Sequence, residues 1–209
     1  MEVLAALAIA LVPASIALAT TSGRRVDLWL AALIGGGGWL AALVLRVPIL
    51  SSLNPRSPTS GYVASVLAGL FEESLRFVIL RTELLRRLST RGATALGLGW
   101  GLAEAALLYA LPVVATSATQ GYGLVELLPG AIERNFAISI HLSLALLVSV
   151  NPGSLRLLAV AVALHAAINC LALASLNVFR NVWVVEGVIA AVAVALLVTA
   201  VRLVRRFRR

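Results

Sequence analysis

The chain has no lysine, a single cysteine and only two histidines. One thiol, Cys170, excludes an internal disulfide, and midway through an apolar run it reads as a small packing residue. Charged residues make up 12% of the sequence and are missing from long stretches of it, which excludes an ordinary soluble domain. All 17 basic side chains are arginines, and the net charge is +8. They cluster beside the ends of apolar runs and form no folded basic face, so nucleic acid is excluded as a partner and membrane lipid is expected. No internal repeat or low-complexity linker divides the chain.

What remains is 61% hydrophobic. A bilayer core needs about 20 apolar residues per helix. Runs of that kind cover roughly 2–20, 28–50, 61–80, 93–113, 124–150, 156–175 and 182–203. The expected fold is all-α: one integral membrane domain over residues 1–209 with about seven transmembrane helices. The first run lacks the positive start of a signal peptide, offering only Glu2, and is read as a membrane helix. Arg24, Arg25, Arg81, Arg86, Arg87, Arg91, Arg156 and the tail Arg202, Arg205, Arg206, Arg208 and Arg209 fall on one side of such a bundle. Arg56 and Arg180 fall on the other, with Arg46 near that end of its helix. The positive-inside pattern then places the N-terminus outside and the C-terminus in the cytoplasm, for a multi-pass protein of the cell membrane. The basic tail reads as a topology anchor.

Ionisable groups within hydrocarbon cost roughly 2.5–3.5 kcal/mol on insertion scales, so those in the apolar runs mark a site. Glu72 and Glu73 stand four and three residues before Arg76, and both reach it along one helix. One carboxylate can satisfy the arginine while the other faces a cavity as a general base. His165 and Asn169, four apart, share a helix face, and an Asn amide can donate to a developing oxyanion. His141 lies seven residues after Arg134, on nearly the same face, with Glu133 pointing off it. Each pair alone is explained as well by helix packing; three helices offering Glu, His and His with Asn at one depth are not.

Two chemical readings stay open. His141, His165 and Glu72 can hold a metal such as zinc with a position left for water, as His₂Glu catalytic sites do. Alternatively, without metal, a glutamate and one histidine activate water while the other histidine and Asn169 stabilise the oxyanion. Both are hydrolysis, and a peptide bond is the expected target. The run GLGWGLAEA (97–105) spaces three glycines so that another backbone can approach closely. It also carries Trp100 and Glu104, which line the pocket or, for Glu104, pair with Arg134 or Arg76. Gly35–Gly38 reads as a packing notch or kink.

GLFEESLRF (69–77), GLGWGLAEA, ERNFAISIHLSLALLV (133–148) and LHAAIN (164–169) resemble, in order, the motifs of the YhfC-like membrane peptidases. That family is similar in turn to the CPBP superfamily of intramembrane proteases, which includes the CAAX prenyl endopeptidases. The resemblance covers roughly residues 61–170 of a protease-like core at 61–175. It implies proteolysis of a membrane-embedded or membrane-proximal peptide, with Glu72, Glu73, Arg76, His141, His165 and Asn169 at the site. One departure stands out: the family's Gly-His-Gly is Gly99-Trp100-Gly101 here. Trp100 therefore favours a second reading, a pseudo-protease that binds or chaperones a membrane partner. A proton or metal carrier is a third, weakened by the lack of paired halves.

Overall fold

A computed structural model describes residues 1–207, so Arg208 and Arg209 of the basic tail lie outside the described residues. The helices are α1 (Glu2–Ser22), α2 (Val26–Ser52), α3 (Pro58–Leu80), α4 (Glu83–Ala105), α5 (Leu111–Gln120), α6 (Leu124–Ser149), α7 (Leu155–Phe179) and α8 (Val182–Phe207). A π-helical turn, Ala106–Ala110, joins α4 to α5 in one rod, so the seven expected spans correspond to seven rods. The fold is all-α, with no strand among the described residues. Six helices are long and apolar enough to cross a membrane. The exception is α3, whose run is interrupted by Glu72, Glu73 and Arg76. The fourth rod starts ten residues earlier than its apolar run, because Glu83–Leu88 forms an arginine-bearing first segment. Ser89, at φ 53°, breaks the helix there before the apolar part begins.

The rods pack with α4 sandwiched between α2 and α6, α3 between α2 and α7, and α8 against α6 and α7. Glycine decides the first of these contacts. A Cβ on Gly99 would overlap the carbonyl oxygen of Ala32, and one on Gly35 that of Leu96, so α2 and α4 touch backbone to backbone. Gly97 and Gly101, on the opposite side of α4, lie against the backbone of Leu142 and Ile138 of α6, somewhat less tightly. The alternate glycines thus thin α4 on two sides and draw α2 and α6 toward its axis, while Gly35 and Gly38 act as the packing notch expected of their run.

The first helix is an integral part of this bundle. Ala6, Ala10, Ala14 and Leu18, at helical spacing, are buried against the interior. Pro13 has no N–H to give the carbonyl of Ile9, four residues before it. Asn135 of α6 donates to that carbonyl at 2.9 Å, replacing the missing bond and stitching α1 to α6.

Candidate active site

At the centre, α2, α3, α4, α6 and α7 bring the ionisable residues together around a cavity of about 200 Å³. Arg46, Glu72, Glu104, Glu133, Arg134, His141, His165 and Asn169 line its polar wall. Leu108, Ile140, Ile168, Val185 and Ile189 line the rest. Glu72, Glu73, Arg76, His141 and His165 are all buried, so their polar groups depend on partners inside the protein; among the described residues, Glu73 Oε2 and Arg76 Nε are left without one.

The paired glutamates divide as the sequence allows, with one difference. Glu73 alone engages Arg76, at very short range, and turns away from the cavity. Glu72 pairs with Arg46 of α2, at 2.7 Å between Oε1 and Nη1. Its other oxygen, Oε2, accepts the Trp100 indole N–H at 3.0 Å. Arg76 lies over the Trp100 ring, 4.4 Å from its centroid, so the tryptophan also shields the guanidinium.

Hydrogen bonding fixes the histidine tautomers. Arg76 can only donate, so His141 Nδ1, 2.9 Å from Arg76 Nη2, is the acceptor. The ring proton therefore sits on Nε2 and is donated to Glu104 Oε2 at 2.8 Å. His165 Nδ1 donates to Glu73 Oε1 at 2.7 Å, so in the neutral ring Nε2 carries the lone pair. The two rings meet edge to face, with centroids 5.4 Å apart. Glu104 pairs with Arg134 at 3.2 Å and not with Arg76, and its Oε2 also accepts the Trp39 indole N–H at 3.0 Å. Glu133 pairs with Arg134 and lines the cavity beside it, although its helical position points away from that of His141.

The donor set fits a metal ion. Glu72, His141 and His165 each offer a ligand atom within 4.8 Å of the others, and His141, whose Nε2–H is held by Glu104, ligates at Nδ1 only when Arg76 releases that atom. Two imidazoles and a carboxylate are a catalytic zinc set. A carboxylate behind a histidine, as Glu73 stands behind His165, is what orients metal-binding imidazoles elsewhere. The charge balance agrees: Glu72, Glu73, Glu104 and Glu133 face Arg46, Arg76 and Arg134, an excess of negative charge when both histidines are neutral.

Residues 40–122 match the YhfC intramembrane metalloprotease family. The YhfC-like segment takes in Arg46, Glu72, Glu73, Arg76, Trp100 and Glu104 and ends before His141 and His165, which the fold delivers from α6 and α7. It begins earlier and ends sooner than the motif resemblance, with 61–122 common to both. No curated protein and no solved structure matches the chain.

Three residues of this neighbourhood escaped the sequence reading. Arg46, counted there as a charge near a helix end, is buried and holds Glu72. Trp39 holds Glu104. Glu186 of α8 is 7% exposed, between Val185 and Ile189 of the cavity wall in sequence, and its Oε2 is buried without a hydrogen bond. Arg46 and Glu186 are lone charges within apolar runs, so the rule that picked out Glu72 would have found both.

Proposed function

We propose that this protein is an intramembrane peptidase of the cell membrane that hydrolyses a peptide bond within or beside the bilayer. One observation carries the reading: a Glu and two His side chains converge within 4.8 Å on a cavity buried in a membrane-type bundle. Glu72, His141 and His165 are the residues that would hold zinc. Zinc so held supplies Lewis-acid polarisation of a carbonyl and a lowered pKa for water. The protein's own groups supply the rest. Glu73 fixes the tautomer and direction of His165, and Arg76 holds Glu73 in place while bonding to His141. Glu72 is the member of the glutamate pair on the cavity wall; it holds zinc or, without metal, is the base that takes a proton from water. Asn169, on the same wall and free of side-chain hydrogen bonds among the described residues, donates to the oxyanion. The arginine-rich side, taken as cytoplasmic, is where lipid and peptide substrate meet the protein.

The test is cleavage of membrane-embedded peptides by the purified protein and by Glu72→Gln. Loss of cleavage in a folded variant supports the assignment, and full activity overturns it. Trp100 favours a second reading. It occupies the position of the family histidine and cannot ligate a metal, and it ties up Glu72 Oε2. In that reading the protein binds a membrane partner without cutting it, and partner capture survives substitution of Glu72, His141 and His165 together.

A further inference from the structure

Arg46 is the least satisfied cation of the cluster. Among the described residues its only hydrogen bond is Nη1 to Glu72 Oε1, at 2.7 Å, and its Nε is buried without a partner. Its side chain is 9% exposed. It stands where two spaces meet, lining both the central cavity and a groove of about 330 Å³ between α2, α3 and α7. Small or short residues, Ala64, Ser65 and Ala68, floor that groove on α3. Asn169 lines both spaces and Leu50 lines the groove, and among the described residues Arg46 is the only charge in its wall.

The same carboxylate thus has two claimants. Ligation of a divalent cation by Glu72 sets that ion beside a guanidinium in a buried, low-dielectric site, where like charges repel strongly. Trp100 already fills a place on Oε2 as a neutral donor and repels nothing. The arginine is the group that must yield, and the groove next to it gives it somewhere to go. Arg76 must also release His141 Nδ1 for that histidine to ligate, but it is fully buried and stays paired with Glu73, so Arg46 is the cation that can leave.

We infer that Arg46 is the resident counter-ion of Glu72 in the metal-free protein, and that a divalent cation binds by displacing it into the α2–α3–α7 groove. This rests on the proposed metal site.

The test is zinc titration of the purified full-length protein in detergent, with free zinc set by a competing chelator. The variants are Arg46→Met, Arg46→Lys, Glu72→Gln and His165→Ala. Arg46→Met removes the competitor and should bind zinc on the order of tenfold more tightly than wild type, with Arg46→Lys in between. Equal or weaker binding by a helical, monodisperse Arg46→Met overturns the inference. Should that variant fail to fold, Arg46→Lys decides, since its shorter reach weakens the pair while keeping a charge: tighter binding than wild type upholds the inference, and equal or weaker binding overturns it. Glu72→Gln and His165→Ala separate the two ideas. If neither weakens zinc binding, the metal site itself is wrong; if both do and Arg46 is without effect, only the Arg46 inference falls.

Discussion

Replacing each of the two buried indoles by phenyl offers a graded test of the polar network. Trp39 and Trp100 are both fully buried, and each donates its indole N–H to a glutamate at 3.0 Å. The acceptors differ. Glu104 Oε2 also receives His141 Nε2–H, so it keeps a partner in Trp39→Phe. Glu72 Oε2 has Trp100 alone and would be left buried and bare in Trp100→Phe. A hydrogen bond to a charged group contributes about 1.5–3 kcal/mol. The contact with Arg76 adds to the loss, because phenyl attracts a cation less than indole does. The shape change is the same in both, so Trp100→Phe should destabilise the protein by about 1–2 kcal/mol more than Trp39→Phe. Reversible unfolding in mixed micelles, followed by circular dichroism as denaturing detergent is added, reads the difference. Equal costs, or a larger one for Trp39→Phe, would refute the hydrogen-bond assignment around Glu72.

Other consequences are open to direct measurement. Gly99→Ala forces α2 away from α4 at a backbone contact and should cost about 1–3 kcal/mol in the same unfolding assay, whereas Gly37→Ala meets open space and should cost nothing. Glu73→Gln leaves His165 without an ionised partner and should weaken zinc binding about 10–100-fold, read on protein that is still helical and monodisperse, and it should also lower stability because Arg76 loses its carboxylate. Asn135→Leu strips the carbonyl that Pro13 leaves bare and should destabilise the protein by about 1–3 kcal/mol, with α1 the first helix to become protease-sensitive. Thiol labelling of single cysteines placed near Met1 and near Arg205, from either side of sealed vesicles, should find them on opposite faces; labelling from one face would contradict the odd number of spans.

Much of this was legible in the sequence, for identifiable reasons. Apolar run length sets the rods, and the bounds err mainly where polar caps extend them: Glu83–Leu88 is helical but carries charges, so hydropathy starts that rod late. Residues within one helix obey spacing, which is why the Glu73–Arg76 pair and the shared cavity of His165 and Asn169 followed from it. Partners on different helices do not. Nothing in the spacing says that Glu72 turns from Arg76, four residues on, to Arg46, 26 residues back. That choice comes from the α2–α3 contact and from the single guanidinium that Glu73 already holds. Likewise Trp100 reads as a departure from a motif, and only the packing of α4 against α3 shows it as a donor to the glutamate.

The central claim is that Glu72, His141 and His165 form one centre. Metal content of the purified wild type beside His141→Ala and His165→Ala tests it most directly. The account predicts about one zinc per chain in the wild type, lost from both folded variants. Zinc retained in either variant, or none in a well-folded wild type supplied with zinc, would contradict it.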